Sequence, residues 1–422
     1  MGYLSVPEVL ALSVPLIFLL LSLALMPLIV PKFWHNYEIP IFAIISFVSV
    51  ISFSIISNKA FTSLNGVILD DYVPFIITLF TLYVLSHGIH ISIQFRPTTA
   101  MNLIFLCCGS VFSSLIGTTG ASMLLLRPFL EMNKLRQKRS HLIIFFIFLI
   151  SNIGGLMTPL GDPPLLIGYL KGIDFLWEIE NLYLYWIIYI ASCLTILYFV
   201  DRKILTTEEH ISDWERTEQP SIKITGILNI FMILTTVIVL FLGSLDMLTR
   251  NILLVAICII SIIDGKRSSR SMDFGPFREV AVTFFVIFIV IAPVLYALEA
   301  NSNSIHEKIG EWSNVFGESR IYFTLCALAS SFLDNAPSYL LFFNIAGGDA
   351  HELMLTSAPI LKAISVSAVV MGAMTYIGNA PNMMVKSIAE REGVFLPTFL
   401  GYLGWTCATI LPISLVILFF IN

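Results

Sequence analysis

The sequence predicts an all-α polytopic membrane protein made of two inverted repeats. Three observations carry that prediction. Of 422 residues, 57% are hydrophobic and only 12% are charged, about half the charged fraction of a soluble domain. Apolar stretches long enough to cross about 30 Å of hydrocarbon recur from end to end, and the mean hydropathy is +0.90. Four of those stretches are interrupted by glycine, proline and polar residues, and the four fall into two pairs at one constant shift.

The apolar segments lie near 9–30, 39–57, 72–90, 101–126, 142–170, 182–200, 225–243, 251–263, 280–298, 321–346, 362–389 and 398–421. The first is preceded by no basic residue and is long enough to span, so it reads as a helix and not as a cleavable leader. Segment 101–126 is interrupted by Gly117-Thr118-Thr119-Gly120, and segment 142–170 by Gly154-Gly155 and Gly161-Asp162-Pro163-Pro164. Segment 321–346 is interrupted by Asp334-Asn335-Ala336-Pro337, and segment 362–389 by Gly378-Asn379-Ala380-Pro381. The Phe-rich run 142–150 faces either lipid or the core.

A shift of 217 residues maps Ser113-Ser114 onto Ser330-Ser331, and GLMTPLGDPP at 155–164 onto GAMTYIGNAP at 372–381, with five of ten residues identical. Two motifs sharing one offset point to an internal repeat. The expected organisation is a first repeat over 1–200, a linker at 201–224 and a second repeat over 225–422.

Orientation follows from charge. If 101–126 and 321–346 are re-entrant hairpins and the other ten segments cross, the basic loop 131–141 (Lys134, Arg136, Lys138, Arg139) belongs in the cytoplasm. Propagating from there gives the cytoplasmic regions 16 Lys and Arg and the opposite side 5. The counterpart loop 347–360 has no Lys or Arg and falls on the other side, which makes the two halves inverted in the membrane plane. A multi-pass protein of a bacterial-type inner membrane is expected, with the lipid bilayer as its main partner.

Composition also excludes. Basic residues are too few and scattered for a nucleic-acid partner. The six cysteines (Cys107, Cys108, Cys193, Cys258, Cys326, Cys407) lie in apolar segments without metal-ligand spacing, so neither a metal centre nor a disulfide framework is expected. No Ser-His-Asp constellation is present, which disfavours an intramembrane enzyme or receptor, the alternative from another class.

A helix broken at bilayer depth frees backbone N–H and C=O groups, tolerated only where protein or a wet cavity covers them. Half-helix N-termini then attract anions, and unwound carbonyls hold cations. The breaks are therefore expected to converge on one site. Its side chains would be Thr118, Thr119, Ser122, Asn152, Thr158 and Asp162 from the first half, near Ser113 and Ser114. Asp334, Asn335, Ser338, Thr375, Asn379 and Asn382 would come from the second. These are hard oxygen donors, suited to Na⁺ or a proton. The Na⁺ candidates are Asp334, Asp162, Asn335 and Asn379. A carboxylate deep in a membrane is a functional candidate by default, although Asp162 before Pro163 and Asp334 before Pro337 also fit helix caps. Arg127 and Lys386 either snorkel to an interface or, for Lys386, neutralise a carboxylate.

The stretches Ser331-Phe332-Leu333-Asp334-Asn335-Ala336-Pro337-Ser338-Tyr339-Leu340 and Gly372-Ala373-Met374-Thr375-Tyr376-Ile377-Gly378-Asn379-Ala380-Pro381-Asn382 resemble sodium:proton antiporters of the NhaD type. These belong to the wider ion transporter superfamily, which also holds citrate, dicarboxylate and arsenite carriers. The resemblance implies a scaffold plus a moving transport domain with two hairpins, elevator motion and a homodimer. It implies no cofactor, only transported Na⁺ and H⁺. The first-half tip departs from the pattern, with no acid or amide resembling Asp334-Asn335. Na⁺/H⁺ antiport is expected, with Na⁺-coupled citrate or dicarboxylate symport as the alternative, in which Thr118 and Thr119 would hold a carboxylate anion.

Overall fold

The structure, a computed structural model, describes residues 4–207, 221–242, 245–267, 274–301 and 317–421. Most of the linker, 208–220, lies outside the described residues. Nearly all of what is described is helix. Helices α1 (Val6–Ile29) and α2 (Pro31–Ile56) pack against each other, and a short α3 (Ala60–Gly66) runs through one π turn into α4 (Val73–His87). Next come α5 (Thr99–Ile116), α6 (Thr118–Met132), α7 (Ser140–Leu149), α8 (Pro163–Leu170) and the long α9 (Phe175–Leu205). The second half holds α10 (Ile227–Phe241), α11 (Met247–Arg267) and α12 (Gly275–Ala300), then α13 (Glu318–Phe332) and α14 (Asn335–Ile345). It closes with α15 (Ala350–Leu355), α16 (Ala358–Met371), α17 (Ala380–Arg391), α18 (Phe399–Ala408) and α19 (Ile410–Phe420).

Among the described residues eight helices are long and apolar enough to cross a membrane, or nine if α18 and α19, bent by 43°, form one span. That is a polytopic all-α membrane protein; one of the long helices is α5, an arm of an expected hairpin, so at most eight of the ten expected crossings are full-length. The difference has a simple cause. Helix α10 has 15 residues, about 23 Å at 1.5 Å per residue, and α16 has 14 because the Gly-rich break ends it early.

The expected interruptions are all present. Helix α5 stops at Gly117, where α6 begins, and α13 stops before Asp334, where α14 begins. In both pairs the two arms pack on each other. Each broken segment has a 3₁₀ turn between its halves, at Ile153–Met157 and at Gly372–Met374. The Phe-rich run proves to be core: every residue from Leu142 to Ile150 is buried, as an all-apolar helix at the centre of a bundle must be.

Two features were not anticipated. His90–Gln94 (β1) and Ser221–Thr225 (β2) pair antiparallel, His90 opposite Thr225, joining what were read as a loop and a solvated linker. Alternating isoleucines explain it: Ile91 and Ile93 face Ile224 and Ile222 across the ladder. Arg136, counted among the solvated charges of the basic loop, is instead buried. It donates from Nη2 to Asp201 Oδ1 at 2.7 Å and from Nη1 to the Pro97 carbonyl at 3.2 Å. The His141 Nε2 lies 2.8 Å from the same Asp201 oxygen, and Thr99 Oγ1 donates to the other at 2.6 Å. This network ties the start of α5, the 133–139 loop, the start of α7 and the end of α9 together.

Removing one partner of a buried ion pair leaves the other charge stranded, at about 3–5 kcal/mol. Asp201→Ala is therefore expected to lower the unfolding temperature of the detergent-solubilised protein markedly. Adding Arg136→Met should recover most of the loss, and no recovery would contradict the ion-pair account.

Candidate functional site

The two hairpin tips share one backbone geometry. Gly117 has φ 83° and ψ 147°, and Asp334 has φ 64° and ψ 140°. The shift of 217 superposes them in sequence and carries Thr118 onto Asn335. Gly117 adopts that geometry freely. Asp334 is the one described non-glycine residue with positive φ, at a cost of about 1–3 kcal/mol. The first-half tip thus matches the second position by position, with glycine and a hydroxyl where the second has an acid and an amide.

The two breaks match as well. Asp162 (φ −147°, ψ 147°) and Asn379 (φ −153°, ψ 137°) occupy the same extended position ahead of α8 and α17. Each has a glycine just before it pressed against a second glycine. A Cβ on Gly378 would fall 2.7 Å from the Gly372 carbonyl oxygen, and a Cβ on Gly161 would collide with the Gly155 carbonyl in the same way. Thr158 donates to the Ser114 carbonyl and Thr375 to the Ser331 carbonyl, the latter at 2.5 Å, so each break is stitched to its own hairpin by the same bond. The Thr118 N–H also donates to the Gly161 carbonyl at 2.8 Å.

These pieces meet at Asp162, which is buried. Its Oδ1 accepts from Thr118 Oγ1 at 2.5 Å and from Asn379 Nδ2 at 3.3 Å, and its Oδ2 accepts from Asn335 Nδ2. Asp162 makes no capping bond to α8; its oxygens are used between elements, not along one. Asp162 and Asn379 are counterparts under the 217 shift, so equivalent positions touch each other. Asn379 Nδ2 also lies 3.1 Å from both the Ser151 carbonyl and Asn152 Oδ1. Asn152 Nδ2 donates to Asn382 Oδ1 at 2.8 Å, and Asn382 Nδ2 donates to the Gly372 and Thr375 carbonyls at 2.8 and 2.9 Å. One atom is left over: among the described residues Asn335 Oδ1 is buried without a hydrogen-bond partner.

The expected residues therefore divide. Asp162, Thr118, Asn335, Asn379, Asn152 and Asn382 form one bonded cluster. Ser122 sits beside it, its Oγ 2.7 Å from that of Ser151. Thr158 and Thr375 hold the backbone. Asp334, next to Asn335 in the chain, accepts from the Ala336 N–H at 3.2 Å and so does cap its helix. Ser338 donates to the Asp334 carbonyl at 2.8 Å, and among the described residues no hydrogen bond joins Thr119 to the cluster. Ser151 was missed, although its place beside Asn152 was a signal.

Among the described residues no basic side chain is hydrogen-bonded to this cluster. Lys386 pairs with Glu390 at 2.7 Å and lies 5.5 Å over the Tyr376 ring. It lines a cavity of about 390 Å³ with Met383, Ser387, Glu390 and Arg391. Among the described residues no group of three or more His, Cys, Asp or Glu is placed to hold a metal ion.

Paired broken helices meeting at a buried, amide-bound carboxylate are an arrangement that secondary transporters also use. The chain belongs to the family described as "Putative citrate transport", which matches residues 6–421. That family lies in the ion transporter superfamily to which the hairpin and break motifs pointed. No curated protein matches the chain.

Replacing Asp334 by glycine should relieve the backbone strain, at a capping loss of only a few tenths of a kcal/mol. Asp334→Gly is expected to unfold at the wild-type temperature or above when the detergent-solubilised protein is melted. Gly117→Ala, placed at φ 83° with its Cβ 3.3 Å from the Leu160 carbonyl, should lower the unfolding temperature. A stabilised Gly117→Ala would contradict the shared geometry.

Proposed function

We propose that the protein is a Na⁺/H⁺ antiporter in which the two ions compete for a site at Asp162. The orphaned, buried Asn335 Oδ1 carries this reading. An Asn amide exchanges its donor and acceptor ends by a half-turn about χ2. Turned that way, Asn335 offers an oxygen beside the Asp162 carboxylate and the Thr118 hydroxyl, a hard-oxygen set suited to Na⁺. A proton on Asp162 would replace the cation. Competition for one carboxylate couples the two fluxes without both ions being bound together. Asp334, held in a strained conformation beside Asn335, adds negative charge to the approach. The two halves, related by a two-fold axis in the membrane plane, would move the site across by an elevator-type displacement, in a homodimer.

A second reading is Na⁺-coupled uptake of citrate or a dicarboxylate, favoured by the family description. Two carboxylates and no bonded basic side chain oppose a polyanion at the cluster unless bound Na⁺ offsets the charge.

Proteoliposomes separate the two readings. Antiport predicts Na⁺-driven proton movement that Asp162→Asn abolishes, with no citrate uptake. Na⁺-dependent uptake of radiolabelled citrate, without proton movement driven by Na⁺ alone, would replace antiport with symport.

A further inference from the structure

Outside the cluster, among the described residues, one buried acidic group stands without a hydrogen-bond partner. Glu178, in the first turn of α9, is 1% exposed, and among the described residues neither carboxylate oxygen has a hydrogen-bond partner. It lies within electrostatic reach of the Tyr339 hydroxyl on α14. That hydroxyl is itself buried without a hydrogen bond of normal geometry, with Ser365 of α16 close by. It also presses on α8, where a Cβ at Gly168 would collide with it.

This placement is specific. Helix α8 is the half-helix that Asp162 precedes, and α14 is the half-helix that Asn335 begins. Tyr339 lies four residues beyond Asn335, about 6 Å along the axis. Its hydroxyl touches the flank of α8 and lies within electrostatic reach of Glu178. Among the described residues the titratable groups near this hydroxyl are Glu178 and Cys326 of α13. Among the described residues no basic side chain is hydrogen-bonded or ion-paired to Glu178.

A bare carboxylate in such a place costs several kcal/mol, whereas a carboxylic acid costs far less. A purely structural role would be served better by Gln, which is neutral at the same size, or by Leu, which needs no partner. Among the described residues the acid gains no hydrogen bond for its cost, and the dipole of α9 returns only about 0.3–2 kcal/mol. It offers a further thing the alternatives lack, a place for a proton.

We propose that Glu178 is a second proton-binding carboxyl of the transporter, coupled through the Tyr339 hydroxyl to the half-helix that carries Asn335. When Glu178 releases its proton, the negative charge left behind acts on the Tyr339 hydroxyl through space. Bound proton and free carboxylate thus differ in what Tyr339 does at the flanks of α8 and α14. The proposal deepens the antiport reading, on which its coupling role rests, but the proton site is testable without transport.

The test is infrared spectroscopy of the purified full-length protein across a pH series. The expected result is a carbonyl band of a protonated carboxylic acid near neutral pH, lost in Glu178→Gln and kept in Asp162→Asn. Tyr339→Phe should move the pH at which this band disappears. A band unchanged by Glu178→Gln, or absent from the wild type, overturns the proposal. A midpoint unmoved by Tyr339→Phe overturns the coupling through the hydroxyl. Failure of Na⁺/H⁺ exchange in proteoliposomes would remove the antiport reading and leave the band to decide this one.

Discussion

Everything at the centre of this protein depends on two helices that are not allowed to finish. A helix broken inside a bilayer exposes N–H and C=O groups that lipid cannot satisfy, so the break survives only if other parts of the chain supply the bonds. Here the supply is local and repeated. A threonine in each break (Thr158, Thr375) bonds a hairpin carbonyl, and a glycine pair in each lets two backbone strands come together where any side chain would collide. The Phe-rich α7, buried from His141 to Leu149, fixes the position of the first break within the bundle. Since lipid is as apolar as the helix surfaces, close packing and satisfied polar groups hold such a core together, more than the burial of apolar area.

On that shared frame the chemistry differs between halves. Gly117 and Asp334 have the same backbone geometry, yet only one carries a side chain. Thr118 and Asn335 open equivalent helices, and both donate to Asp162. Asp162 and Asn379 are equivalent and bonded to each other. In the first two pairs the second half supplies an acid or an amide where the first has glycine or a hydroxyl, and in the third an acid meets an amide. The result is one carboxylate served by donors from both halves, with one buried acceptor oxygen left over, at a place that neither half could build alone.

Much of this was legible in the sequence. The four interruptions were visible because Gly-Asn-Ala-Pro and Gly-Asp-Pro-Pro stop apolar runs that otherwise span, and the offset of 217 tied them in pairs. The clustering of Asp162, Asn335, Asn379, Asn152 and Asn382 followed from the need to cover broken backbone. What stayed hidden depended on three-dimensional contact. Arg136 looked like a solvated loop charge because its partner Asp201 is 65 residues away. Glu178 looked like an ordinary acid at a helix start, and nothing in its neighbours announces that it is buried. The equivalence of Gly117 with Asp334 was masked by residue type, since glycine and aspartate share a role only through backbone angles. The π turn before α4 and the β1–β2 pair were missed because apolar length, the main signal used, does not report them.

The central claim is that one carboxylate, Asp162, holds either Na⁺ or a proton between the two breaks. Its most direct test is equilibrium binding of radioactive Na⁺ to the purified protein as pH is lowered, with Asp162→Asn alongside. One proton competing for one site should weaken Na⁺ binding by about tenfold per pH unit on the acid limb, and the variant should not bind at all. Na⁺ affinity independent of pH, or binding that survives in Asp162→Asn, would contradict the account.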